Sequence, residues 1–171
     1  MQRPRGYPAR VPSDQAVSLR AMTALEFAGF RRKAIRSYAA ANVETGDWAP
    51  EDAENRAAID TDRLLPQGLD TPGMLLLVAE VGARPVGAVW IALKDPNGQG
   101  AWVYDIEIAA GHRGRGLGRA LLMAAEEVVA ANGGNSIGLN VFAGNAAARG
   151  LYGSSGYEVT SLHMRKVLGS G

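Results

Sequence analysis

Residues 101–122 read AWVYDIEIAAGHRGRGLGRALL. The first nine residues have the mixed apolar and polar pattern of a strand, and the apolar positions from Leu117 onward recur at helical spacing. Between the two patterns, residues 111–119 hold four glycines and three arginines. A helix start leaves its first backbone N–H groups without intrahelical acceptors and carries the positive end of the helix dipole. Glycine removes the Cβ that would keep an anion from those groups, and arginine adds charge-assisted donors. Arg113, Gly114, Arg115, Gly116 and Gly118 therefore read as a cradle for a pyrophosphate-like anion between a strand and a helix.

Working outward, the helix runs from about Leu117 to Ala131 and stops at Asn-Gly-Gly. A strand is expected over 136–142, a short helix over 145–155 and a last strand over 157–168. Upstream, MLLLVAEV (74–81) is nearly all apolar, as in a strand covered on both faces, and VGAVWIAL (86–93) returns as its hairpin partner. Two helices are expected before these, one capped by Thr23 and one opening at Pro50, preceded by a strand within 16–22. The order β-αα-βββ-α-β-α-β contains no repeat and describes an α/β fold with a mixed central β-sheet flanked by helices. Residues 1–14, rich in Pro and Arg, are expected to form a flexible arm, 15–168 one domain and 169–171 a flexible tail.

Composition narrows the chemistry. The chain of 171 residues has no cysteine, which excludes disulfides, thiolate metal sites and a cysteine nucleophile. With two histidines and no His-Glu-x-x-His motif, no metal is expected. A formal net charge of +1 offers no general attraction to nucleic acid or acidic membrane, and neither is expected as a partner. No apolar run approaches the roughly 20 residues of a membrane helix, and the basic start lacks the apolar segment of a secretory signal. A cytoplasmic location is expected.

Two common phosphate cradles do not fit. A P-loop ends in Gly-Lys-Ser/Thr, whereas this turn ends in Gly-Arg-Ala. A dinucleotide fingerprint needs a third glycine where Arg119 stands, and an acid about 20 residues on, yet no acid lies between Glu127 and Glu158. RGRGLG (113–118), after a strand and opening a helix, has instead the form [QR]-x-x-G-x-[GA]. It resembles motif A of the GCN5-related N-acetyltransferases (GNAT). LNVFAGNAAARGLYGSSGYE (139–158) is similar to the strand, the N-x-x-A-x-x-L-Y helix and the Gly-Tyr turn that follow motif A in that family. The element order from Val17 to Leu168 matches as well.

The resemblance implies the acyl-CoA N-acyltransferase fold and an N-acetyltransferase that moves an acetyl group from acetyl-CoA, as co-substrate, to a primary amine. The amine would attack directly in a ternary complex. It implies a cleft where strands 101–109 and 136–142 splay apart. The pyrophosphate would meet Arg113, Gly114, Arg115, Gly116, Leu117 and Gly118, with Arg119 close by. The pantetheine arm would pair with the backbone of Ile106 and Ile108. Asn145 would hold the pantetheine, Arg149 would reach a CoA phosphate, and Tyr152 would protonate the leaving thiolate as the catalytic acid. Glu107 is the first candidate for the catalytic base. Asp105, two residues away on the same face, is the second, and a water chain remains an alternative. Glu26 is a weaker candidate for the acceptor site. The acids of segment 42–72 suggest a cationic acceptor. A homodimer is expected by analogy. A non-catalytic acyl-CoA-binding regulatory module on the same fold is the alternative function.

Overall fold

Apolar alternation through the middle of the chain builds a five-stranded sheet in the order β1-β2-β3-β4-β5. The strands are β1 (Ser18–Ala21), β2 (Met74–Val81), β3 (Arg84–Ala92), β4 (Ala101–Ile108) and β5 (Ile137–Leu139). The first four are antiparallel neighbours, and β5 runs parallel to β4, so the sheet is mixed. The helices are α1 (Ala24–Glu44), α2 (Ala53–Leu64), α3 (Leu117–Ala131) and α4 (Ala146–Ser154). This computed structural model describes residues 16–95, 97–98, 100–166 and 168. The expected arm of residues 1–14 and tail of residues 169–171 lie outside the described residues. The chain divides into two compact units, Met1–Asn140 and Val141–Gly171.

In the first unit the sheet is covered on both faces. Leu75, Leu77, Ala79, Val89, Ile91 and Val103 pack with Leu117, Leu121, Ala125 and Val129 of α3. Leu76, Val78 and Trp90 point the other way and pack with Phe30 of α1 and Leu65. The even–odd split along β2 is the period of a strand, and the presence of a core on each side explains why 74–81 is apolar throughout. Leu121 and Leu122 are almost wholly buried, each contributing about 1.5–3 kcal/mol. Ile35 and Ala39 of α1 meet Ala53 and Ala57 of α2 in a smaller core.

α1 starts as expected. Thr23 caps it, the Glu26 N–H donating to Thr23 Oγ1 at 3.3 Å and the Thr23 N–H donating to Glu26 Oε2 at 2.8 Å. Arg20 closes on both Glu26 carboxylate oxygens, and these hydrogen bonds hold the Glu26 carboxyl down at about 2. Glu26 is thus engaged in the helix start. α2 begins at Ala53 rather than Pro50; residues 50–52 form a turn, with the Asp52 N–H on the Ala49 carbonyl at 3.4 Å. The expected strand 136–142 is shortened to Ile137–Leu139.

The second unit contains α4 and the chain after it. Here one expectation fails. Residues 157–166 and 168 carry no strand. Val159, Leu162, Met164 and Leu168 are largely exposed. Their pattern specifies a pleat but not a partner strand, and no described strand pairs with them.

The β3–β4 contact is close at Gly87. A Cβ there would stand 2.3 Å from the Glu107 carbonyl oxygen and 3.0 Å from Ile108 Cδ1. Gly87→Ala is expected to cost about 1–3 kcal/mol of stability through this overlap with backbone. Urea unfolding of the two chains measures it, and an unchanged midpoint would refute the tight fit.

Candidate active site

The site begins with an irregularity in β4. In the β3–β4 ladder Trp90 faces Asp105 and Ile91 faces Val103, so Tyr104 is an extra residue, a β-bulge. Val103 packs on the α3 side of the sheet, and so do Ile106 and Ile108. Tyr104 stays on the α1 side against Trp90, the ring centroids 4.8 Å apart. A strict period of two would have put Asp105 and Glu107 on the face of Val103. The bulge turns both acids to the α1 face and keeps them together, as their spacing requires.

Beyond the bulge, β4 is open on one side. β5 pairs only with Ala101, Trp102 and Val103, while β4 continues to Ile108. No other described strand pairs with that side. The Ala109 N–H donates to the Val86 carbonyl at 2.9 Å, so Glu107 and Ala109 turn their backbone groups toward β3. By alternation, Ile106 and Ile108 turn theirs to the open side. The Ile108 carbonyl is held there by Arg113, whose Nε donates to it at 2.9 Å. The two strands thus part beside Ile106 and Ile108.

The open edge leads into the glycine-arginine turn. A single 3-10 turn, Ala110–His112, precedes Arg113. Gly114 and Gly116 then take φ of 74° and 78°, a left-handed backbone that only glycine adopts without strain. Gly116 is the N-cap of α3 and no side chain caps that helix. The N–H groups of Arg119 and Ala120 return to the Gly116 carbonyl at 3.1 and 3.2 Å. Those of Leu117 and Gly118 precede the first intrahelical bonds. A Cβ at Gly114 or Gly116 would meet nothing within 4 Å, so open space lies over this helix start. Arg113 and Arg115 are exposed and Arg119 is half-buried. The arrangement can receive an anion on backbone donors with cations around it.

The acids carry an unforeseen partner. Lys33 of α1 places Nζ 2.6 Å from Glu107 Oε1 and 2.5 Å from Oε2. Phe30, one turn earlier, packs in the core with Trp90 and so fixes α1 over this part of the sheet. Sequence spacing puts Lys33 one helical turn after Phe30, but nothing local says which strand lies opposite. Half-buried Asp105 behaves differently from an ordinary carboxyl. Burial is the main cause, and the neighbouring Glu107 charge adds to it, pushing Asp105 up to about 6; Lys33 and the Ile106 N–H oppose the rise.

In the second unit, Asn145 caps α4, its Oδ1 accepting the Ala148 N–H at 3.1 Å. Arg149 Nη1 donates to the Ala143 carbonyl at 3.3 Å. Tyr152 is half-buried, its ring 5.7 Å from that of Tyr157. Ile106, Glu107, Ile108 and the turn from Arg113 to Arg119 therefore form one neighbourhood in the first unit, while Asn145, Arg149 and Tyr152 belong to α4 and its cap in the second. Among the described residues no group of acids and histidines could hold a metal ion, and no helix is long and apolar enough to cross a membrane.

A mixed sheet with flanking helices, parted at its parallel pair beside a glycine-lined helix start, is the arrangement that the resemblance to acyl-CoA N-acyltransferases implies. Residues 36–157 match the model of the Acetyltransferase (GNAT) family, and the chain belongs to that family. It is similar to the uncharacterised N-acetyltransferase YycN of Bacillus subtilis, with 32% identity over 154 residues, 89% of this chain and 99% of that protein. The crystal structure of YycN matches with a TM-score of 0.86 at 31% identity, covering 91% of this chain and 100% of the other. Mycothiol acetyltransferase of Beutenbergia cavernae is 37% identical over 93 residues, 54% of this chain and 31% of that protein.

Asp105 makes a pH prediction. An unfolded aspartate releases its proton near 3.8 and folded Asp105 near 6, so the folded state holds an extra proton between those values. Stability falls as pH rises through that window, and Asp105→Asn is expected to abolish the fall. Carboxyl NMR titration checks the cause: the Asp105 midpoint should drop in Glu107→Gln and climb in Lys33→Met. A midpoint near 4 in the native chain would remove the argument.

Proposed function

We propose that the chain transfers the acetyl group of acetyl-CoA to a primary amine by direct attack in a ternary complex. The observation that carries this is the continuity of two features: a β4 edge open from the bulge to Ile108, running directly into the uncapped start of α3. An extended pantetheine arm suits the first, pairing as an added strand with the backbone of Ile106 and Ile108. A pyrophosphate suits the second, received by the N–H groups between Arg113 and Gly118, including Leu117, with Arg115 and Arg119 supplying charge. Because Arg113 braces the Ile108 carbonyl, its contribution to the anion is made from a fixed position.

The acceptor reaches the enzyme mostly as an ammonium ion, with a reference pKa near about 10.4, and must lose a proton before attack. Glu107 is assigned that proton, with Asp105 beside it as second recipient. Asn145 and Arg149 are assigned to the pantetheine and a CoA phosphate, and Tyr152 to protonating the departing thiolate. The family resemblance supports these three assignments. The acid-rich segment 42–72 favours an acceptor carrying further positive charge, although Asp62 and Asp60 are already paired with Arg31 and Arg63. The reading includes a cytoplasmic homodimer.

Calorimetric titration with acetyl-CoA tests the cradle. Micromolar binding is expected in the native chain, with at least a hundredfold loss in Gly116→Trp, whose ring would occupy the open space over the helix start; undiminished affinity in that variant would move the site elsewhere. For Tyr152→Phe, affinity for acetyl-CoA should hold while kcat drops about 10²-fold across polyamines, aminoglycosides and peptide N-termini. A kcat within twofold of native on every accepted amine would strip Tyr152 of the acid role.

A further inference from the structure

We propose that Lys33 is itself an acetyl acceptor, a self-modification site at which its amine takes the acetyl group from acetyl-CoA bound along β4. The proposal rests on the acetyl-CoA reading above and goes beyond it. Lys33 Nζ is a primary amine, the nucleophile class this chemistry uses. It is held at 2.5–2.6 Å from both oxygens of Glu107. Glu107 lies between Ile106 and Ile108, the two residues whose backbone faces the open edge.

Residue type strengthens the assignment. The chain has 18 lysines and arginines together, and only Lys33, Lys94 and Lys166 are lysines. Around Lys33, α1 carries half-buried Arg31 and exposed Arg32 and Arg36. Arginine remains protonated in proteins and offers no lone pair for attack. For an ion pair with Glu107 alone, arginine with its planar fork would serve at least as well. The residue set against the acid is the one in this run that can become a nucleophile. Its side chain is half-exposed, so it can detach and swing.

The step balances without another reactant. The Lys33 ammonium passes a proton to Glu107. The freed amine attacks the thioester carbonyl, forming the C–N bond as the C–S bond breaks. The thiolate leaves and takes up one proton from solvent, while the second proton lost by the amine and the one held on Glu107 pass to solvent, leaving one N–H in the amide. An acetyl-lysine amide and CoA result. The modification removes the Lys33 charge and with it the pair to Glu107. Asp105, whose proton affinity Lys33 restrains, then binds its proton more tightly.

The test is peptide-mapped mass spectrometry of the whole chain incubated with acetyl-CoA, alongside calorimetry of the same sample. One acetyl group is expected on Lys33, added at least tenfold faster than on Lys94 or Lys166, at a first-order rate independent of protein concentration. Glu107→Gln should slow it at least tenfold. Lys33→Arg, which keeps the ion pair, should show only the background of the other two lysines. In the acetylated protein the Asp105 titration should move up. Acetyl-CoA binding with Lys33 modified no faster than Lys94 and Lys166, or a rate unchanged in Glu107→Gln, overturns the proposal and leaves the proposed function standing. Absence of acetyl-CoA binding overturns both.

Discussion

Tyr104 occupies the place in β4 where two residues oppose one on β3. A strand with an inserted residue cannot keep a regular ladder on both sides. On the β3 side the pairing resumes, because Val89, Trp90 and Ile91 are buried between two cores and fix the register. On the other side it does not, and β5 stops at Leu139. The same residue opens an edge of the sheet, turns Asp105 and Glu107 to the α1 face, and leaves Ile106 and Ile108 on the α3 face. Stacking of Tyr104 on Trp90 holds the inserted residue in place.

The second constraint is the start of α3. Buried Leu117 and Leu121 anchor the helix to the sheet immediately after the turn. An ordinary helix would end such a turn with Ser, Thr, Asp or Asn to satisfy its first donors. Here Gly116 stands in that position with left-handed backbone, and the donors of the first turn remain available. Thr23 on α1 and Asn145 on α4 show the contrast, each capping its helix with a side-chain oxygen. The helix that follows the open β4 edge has glycine at that position, which costs only about a few tenths of a kcal/mol against a side-chain cap and preserves an anion-ready end.

Charge completes the neighbourhood. The Glu107 charge on the same face raises the cost of ionising Asp105, and among the described residues Lys33 pairs with Glu107. The two acids consequently differ: Glu107 holds the Lys33 cation, while burial lets Asp105 keep its proton up to about 6.

Much of this was legible in local chemistry. The glycine-arginine spacing identified the turn because helix ends and anions impose their requirements within a few residues, and Thr23 identified a capped helix for the same reason. Apolar periodicity located β2, β3, β4 and α3, since a covered strand and an amphipathic helix each write their period into the chain. The strand expected at 157–168 shows where that reasoning stops: alternation favours an extended segment, but pairing needs an edge elsewhere. Only the tertiary structure decided three things. They are the bulge at Tyr104, set by the competing registers of two neighbouring strands; the face on which Asp105 and Glu107 emerge, which follows from that bulge; and the meeting of Lys33 with Glu107, which depends on how Phe30 seats α1 on the sheet. Each arises from contacts between residues far apart in the chain, which no local pattern records.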